Sequence, residues 1–385
     1  MVSNYSGRAN NIFTHSPVIT DDDGKQFVVT QGSEYELPKH ITLHEFHTTH
    51  GVPIRFYTAK AENETAMIMG ASGFKTDFIL TPQEIEALNS QGVSVCWLAL
   101  PNPGRNTDFM EYIVEAAKEV LVEPRHAEIR SWCARNVPKV FFGHSSGAQL
   151  FLRLASEGHH KTLNRLFSGA ILSSPYITPP GTEHPLTLSS IAFDYYARKH
   201  ALKLPSETPL GQVYLKKSER ANFDGPDLAK YQVPVYQQIQ ELRRGGKIVL
   251  NALRNPESNL RGLEMPFLVA AGANDKFSSP RISSEIAQTF QGAFYYAQGL
   301  GHSPLSNNTE GFGTLLGATT SMARKEFGKF AKQYHLDDYT VRSERFIVTK
   351  LALSAAAQAA TAVTQRLVPD RLRPRMPSVF SRTPS

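Results

Sequence analysis

The sequence predicts an α/β protein with a mostly parallel central sheet, flanked by helices and carrying a helical insertion over one edge of the sheet. Three observations predict it. Short apolar runs recur along the chain: Ala66-Met67-Ile68-Met69, Val93-Ser94-Val95-Cys96-Trp97-Leu98, Gly169-Ala170-Ile171-Leu172-Ser173 and Met265-Pro266-Phe267-Leu268-Val269-Ala270-Ala271. Runs of that length with little polar alternation are strands buried on both faces. Helix-prone segments separate most of them. Between Ser173 and Met265 no such run occurs, and Pro-rich turns (Ile177-Thr178-Pro179-Pro180-Gly181) and helical patterns (Tyr236 to Leu242) stand in its place.

Taken in order, residues 1–39 form an irregular arm. Thr42–His47 and Ile54–Thr58 alternate in polarity around His50-Gly51-Val52-Pro53, which predicts a β-hairpin. The strand Ala66–Met69 ends at Gly70-Ala71-Ser72-Gly73-Phe74. A helix is expected around Pro82 to Ser90, with Ile85 and Leu88 on one face. The strand Val93–Leu98 then runs into Leu100-Pro101-Asn102-Pro103-Gly104-Arg105-Asn106, a loop by composition. Phe109 to Arg135 is helical with an interruption near Pro124. Val137-Pro138-Lys139-Val140-Phe141-Phe142 ends in β-branched and aromatic residues suited to a buried strand. Ala148–Ala155 is a helix by propensity and apolar spacing. Ala293-Phe294-Tyr295-Tyr296-Ala297 is the last strand. The chain thus divides into an arm (1–39), a core (40–175 and 263–335), a helical insertion or cap (176–262), and a C-terminal helix with a basic tail (336–385).

Composition sets limits. A chain of 385 residues, 41% hydrophobic and 20% charged, suffices for one large domain with an insertion, or for two domains. Its two cysteines, Cys96 and Cys133, make no disulfide framework and fit a reducing, cytoplasmic setting. No stretch approaches the ~20 apolar residues of a membrane span, and Met1–Pro17 lacks the apolar core of a secretory signal. The formal net charge is +6, yet from Arg342 onward eight Arg and Lys face only Glu344 and Asp370. The tail therefore carries the excess, and the near-neutral body gives no reason to expect a nucleic-acid partner. A helix-prone, Ala-rich stretch from Glu344 to Leu367 precedes a Pro- and Arg-rich end. It fits a packing helix with a solvated tail, or, on the charge, a peripheral anchor to anionic lipid surfaces.

The chemistry centres on Gly143-His144-Ser145-Ser146-Gly147, between a strand and a helix. Strand, Gly-x-Ser-x-Gly, helix is the pattern of a nucleophile elbow. Side chains at Gly143 and Gly147 would collide with neighbouring backbone in so sharp a turn, and the serine is held strained with its hydroxyl in the open. An ordinary Gly-rich turn could carry the same five residues, so the rest of the chain must supply partners. Gly299-Leu300-Gly301-His302-Ser303-Pro304 follows the last strand, and of thirteen histidines only His302 stands after all the strands in a Gly-flanked loop. His144 is expected to point away from the nucleophile as a packing or hydrogen-bonding residue. Ala271-Gly272-Ala273-Asn274-Asp275-Lys276-Phe277 offers Asp275 directly after a buried strand, either as a turn or cap residue or as the carboxylate that orients the histidine. Ser145, Asp275 and His302 together favour the second role. An oxyanion needs two donors, and the candidates are the backbone N–H groups of Ser146 and Ala71. No metal-ligand pattern, dinucleotide fingerprint or phosphate-binding loop is present, so no cofactor is expected.

On these residues the sequence resembles the α/β-hydrolase superfamily, within it the branch of monoacylglycerol lipases, lysophospholipase L2 and serine aminopeptidase-like hydrolases. The resemblance runs from about Thr42 to Lys332 and makes the insertion that branch's cap. It implies a serine hydrolase of carboxylic esters acting on an acyl-chain or lysolipid substrate. The family's His-Gly before the oxyanion donor is Met69-Gly70 here, and its Arg-Gly-x-Gly stretch is replaced by Leu100-Pro101-Asn102-Pro103-Gly104-Arg105. Peptidase and acyltransferase activity use the same three side chains, and a catalytically silent binding or scaffold protein of this fold is the alternative from another class.

Overall fold

The computed structural model describes residues 18–20, 25–30, 33–73, 80–101, 109–180, 235–275, 277–306 and 308–341. The strands are β1 (Val18–Thr20), β2 (Gln26–Thr30), β3 (Ser33–Glu36), β4 (Ile41–His47), β5 (Pro53–Ala59), β6 (Ala66–Ala71), β7 (Val93–Ala99), β8 (Lys139–His144), β9 (Gly169–Ser173), β10 (Phe267–Gly272) and β11 (Ala293–Ala297). The helices are α1 (Pro82–Ser90), α2 (Phe109–Ala117), α3 (Ala127–Cys133), α4 (Ser146–Leu154), α5 (His160–Leu166), α6 (Val235–Arg254), α7 (Pro280–Thr289), α8 (Thr309–Ala323) and α9 (Phe327–Gln333).

Eight strands form one sheet in the order β11-β10-β9-β8-β6-β7-β5-β4. The six from β7 to β11 are parallel, and the β4–β5 hairpin closes the other edge antiparallel. Every residue of β6 and β7 is buried, so their side chains feed two separate cores by strict alternation. Met67, Met69 and Ala71 of β6, with Phe141 of β8 and Phe267 of β10, face the layer holding α2, α3, α4 and α7. Ala66 and Ile68, with Val140, Phe142 and Leu268, face α1, α8 and α9. Phe141 stacks on Phe151 of α4 at 4.3 Å between ring centres, which ties the elbow strand to the elbow helix.

The predicted helix at Pro82–Ser90 forms with Ile85 and Leu88 buried, started by Pro82 and a Thr81/Glu84 capping box. The helix after Phe109 ends in a widened turn over Lys118–Val122, and α3 begins beyond Pro124. One expectation is corrected. Residues 1–39 are not wholly irregular: β1, β2 and β3 make a separate three-stranded antiparallel sheet. The expected cap, 176–262, is described only in part. Most of it, 181–234 with Phe193, Tyr195, Tyr196, Tyr214, Phe223 and Tyr231, lies outside the described residues. Its C-terminal part, α6, packs on α4 and α2 and contributes Leu242, Val249 and Leu253 to the main core. Gly245 faces Gln149 of α4 and Met110 of α2, and Gly246 lets α6 pass the segment after β9: a Cβ there would sit 1.8 Å from the Ile177 carbonyl oxygen. Among the described residues no helix is long and apolar enough to cross a membrane. The Asn102–Asn106 loop and the tail from Arg342 lie outside the described residues.

Candidate active site

Parallel α/β sheets place their sites at the carboxyl ends of the strands, and three chain segments meet there. Ser145 directly follows β8, Asp275 follows β10 and His302 follows β11. Ser145 has φ 54° and ψ −116°, a conformation that a non-glycine residue adopts only under constraint. The constraint is the tight passage of the chain. A Cβ on Gly147 would lie 2.1 Å from the Ala71 carbonyl oxygen, and one on Gly143 would lie 2.7 Å from the Ala148 Cα. Only glycine lets α4 start this close to the end of β6, and Ser145 is thereby lifted above the sheet at the positive end of the helix.

The loop bearing His302 crosses the end of β10. It can do so because Gly272 has no side chain: a Cβ there would lie 2.0 Å from the Gly301 carbonyl oxygen. Two backbone bonds zip the loops together, Ala273 N–H to the Ala297 carbonyl (3.0 Å) and Asn274 N–H to the Leu300 carbonyl (2.8 Å). The result is a continuous hydrogen-bonded chain. His302 Nε2 is 2.8 Å from Ser145 Oγ, and its Nδ1 is 3.0 and 2.9 Å from the two oxygens of Asp275. Asp275 Oδ1 also accepts from the N–H groups of Phe277 (2.8 Å) and Ser278 (3.0 Å). The Asp275 side chain is 1% exposed, whereas that of His302 is 23% exposed. Burial alone would push the Asp275 carboxyl up, but the charge and hydrogen bond of His302 and the two backbone donors outweigh it and hold the group below its ordinary value. A carboxylate that stays ionised beside Nδ1 keeps the proton on that nitrogen and leaves the Nε2 lone pair facing the serine hydroxyl.

Two aromatic edges hold the His302 ring. Phe277 and His144 meet it at 5.1 and 4.9 Å between ring centres, each inclined by 63°. His144 lies against the imidazole, with Nδ1 3.4 Å from Ser173 Oγ, a packing and hydrogen-bonding residue as its place in the elbow suggested. Burial and the neighbouring His302 push its pKa down to about 3, so it is a neutral neighbour.

The expected anion donors fare differently. Ser146 is the first residue of α4, beside the serine. Ala71 is paired with Gly143 in the parallel ladder that opens with Met67 N–H donating to the Pro138 carbonyl. The alternation of that ladder directs the Ala71 N–H to the Phe142 carbonyl, and the next N–H, of Ser72, donates to the Leu98 carbonyl at 2.9 Å. Ala71 is therefore corrected: its N–H serves the sheet. Sequence reasoning named the three chemical groups but missed Gly272, Phe277 and Ser278, which position them. Gly272 stood in the quoted stretch, and a glycine at the very end of a buried strand was the signal of a close backbone crossing. Among the described residues no group of three His, Cys, Asp or Glu side chains is placed to hold a metal ion.

No protein-family model matches the chain, and neither does any curated protein. Solved structures do resemble it. A soluble variant of monoglyceride lipase from Saccharomyces cerevisiae, in complex with a substrate analog, superposes with a TM-score of 0.52 at 19% identity, over 75% of this chain and 97% of that one. A lipase in open form gives 0.48 at 16% identity, over 74% and 99%. Monoacylglycerol lipase from Paleococcus ferrophilus gives 0.40 at 14% identity, over 72% and 98%. At such identities the likeness speaks for architecture alone. Together with the strand order, the likeness to the first of these establishes that this chain has the α/β-hydrolase fold.

Proposed function

We propose that the chain is a serine hydrolase that cleaves carboxylic esters through an acyl-enzyme. The observation that carries this reading is the hydrogen-bonded series from Ser145 Oγ through His302 to a buried carboxyl. Ser145 Oγ attacks the ester carbonyl as His302 Nε2 takes its proton. The imidazolium is stabilised by Asp275 and returns the proton to the departing alkoxide. Water then repeats the sequence on the acyl-enzyme and releases the acid. The Ser146 N–H at the head of α4 is one donor to the oxyanion.

The family resemblance, and the monoglyceride lipase among similar structures, support an acyl-chain substrate such as a monoacylglycerol or a lysophospholipid. Hydrolysis of a panel of p-nitrophenyl esters, monoacylglycerols and lysophospholipids tests this. We expect turnover that rises with acyl chain and disappears in Ser145→Ala. A second reading is a catalytically silent α/β-hydrolase used for binding. The Ala71 ladder bond and Met69 in place of the family's histidine favour it, and absence of turnover across the panel would support it.

A further inference from the structure

The reacting groups come from β8, β10 and β11, but the segment after β9 touches the first two without supplying a reacting atom. Ser145 N–H donates to the Ser173 carbonyl at 2.9 Å, and Tyr176 N–H donates to the Ser145 carbonyl at 3.1 Å. Both backbone groups of the nucleophile are thus held by residues 173–176. The same segment grips the acid loop. Ser278 Oγ donates to the Ser174 carbonyl at 2.9 Å, and Ser279 N–H donates to the Thr178 carbonyl at 3.0 Å. Ser174 itself is anchored to β10 through its N–H and the Ala270 carbonyl, at 2.8 Å. It has φ 45°, in the left-handed region, although it is not glycine. Ser174 and Ser278 are both buried.

Such strain persists only where the surroundings over-determine it, and here five hydrogen bonds do. We infer that Ser173–Thr178 is a brace that sets the spacing between Ser145 and Asp275, and that Ser278 is a positioning residue for the acid. Its hydroxyl hangs on the brace while its N–H holds Asp275 Oδ1. Losing the hydroxyl leaves every reacting group in the chain and the Ser279–Thr178 bond in place, so the loop stays folded but its carboxylate is no longer fixed in register with His302. The inference rests on the serine-hydrolase reading for its kinetic consequence, though not for its geometry.

The test compares Ser278→Ala with Ser284→Ala in the full chain. Ser284 lies on α7, is buried, and likewise gives its hydroxyl to a backbone carbonyl, that of Tyr339 at 2.7 Å, and it is not among the hydrogen-bond partners of Asp275 given above. We expect kcat to fall about ten- to a hundredfold in Ser278→Ala with KM within about twofold, as suits a misplaced group. Ser284→Ala should keep wild-type kcat, and Ser278→Thr, which restores a hydroxyl, should recover most of the loss. Should Ser278→Ala not fold, Ser278→Cys, with its weak S–H donor, takes its place. A second readout needs no turnover: the far-downfield proton resonance of the His302 N–H shared with Asp275, assigned by its loss in Asp275→Asn. It should shift or broaden in Ser278→Ala and stay in Ser284→Ala. An unchanged resonance and kcat in Ser278→Ala, or equal losses in the two alanine variants, overturns the brace. A wild-type chain that shows the resonance but never turns over an ester overturns the hydrolase reading and leaves the brace standing.

Discussion

Two serines stand one residue beyond the ends of adjacent strands, Ser145 after β8 and Ser174 after β9, and both have positive φ, 54° and 45°. Their fates are opposite. The Ser145 hydroxyl meets an imidazole at 2.8 Å. The Ser174 hydroxyl is buried and has no hydrogen-bond partner among the described residues, and it is its carbonyl that works, as an acceptor for Ser278. What differs is the residue that follows and the loops that arrive. After Ser145 come Ser146 and Gly147, and the missing side chain of Gly147 lets a helix begin against β6. After Ser174 comes Pro175, which has no N–H and does not start a helix here. A strained serine at a strand end is therefore not in itself a mark of a nucleophile. On the proposed reading it becomes one where glycine opens the approach and a histidine-bearing loop crosses above it.

The comparison can be sharpened from its strongest consequence downward. Asp275→Asn keeps shape and hydrogen-bonding capacity but favours the wrong imidazole tautomer. Esterase activity should fall by about ten-thousandfold, measured as kcat/KM, with the far-ultraviolet circular dichroism unchanged. Gly147→Ala attacks the opening. Its new Cβ meets the Ala71 carbonyl oxygen, so backbone must shift, and denaturant unfolding should show a loss of about 3 kcal/mol. Wild-type stability at that position would mean that the close passage of α4 over β6 does not exist in solution.

Acid separates the site's titrating groups. Asp275 lies below its ordinary value in the folded chain, so its contribution to stability is complete above about pH 4 and is lost as pH falls through the lower folded value. His144 is depressed to about 3. Between an unfolded value of about 6.5 and that figure, the unfolded chain takes up a proton that the folded chain refuses, so stability declines as pH falls through this window. Calorimetric Tm against pH should decline from neutrality toward pH 4 in the wild type and be visibly flatter in His144→Gln. Equal slopes would mean that His144 is solvated. The smallest effect is expected at Ser174→Gly. Relief of a positive φ and the higher entropy of an unfolded glycine nearly cancel, so stability should change by less than about 1 kcal/mol.

Much of this was legible before any coordinates. The buried strands and the elbow were read from local signals, apolar runs and glycines, because their physics is local. The meeting of Ser145, Asp275 and His302 followed from their places after strands, because parallel sheets send every strand's carboxyl end to one edge. What was missed has particular causes. β1, β2 and β3 follow one another within 1–39 and pair antiparallel in that order, so their partners were near in sequence; what hid them is their length, three to five residues, too short for a clear period. An amphipathic helix such as α6 has the same pattern on a cap as on a core; Gly245-Gly246 was the available hint of close contact. Ala71 failed as a donor because a ladder's alternation is set by register, which one strand's sequence does not contain.

The central claim is that the hydroxyl of Ser145, and no other, is activated for attack. Reaction of the full chain with a fluorophosphonate, read by intact-protein mass and peptide mapping, tests it most directly. The account predicts a single adduct on the peptide carrying Ser145, absent from Ser145→Ala and much slower in Asp275→Asn. An unmodified protein after prolonged exposure, or an adduct on another serine such as Ser174, would contradict it.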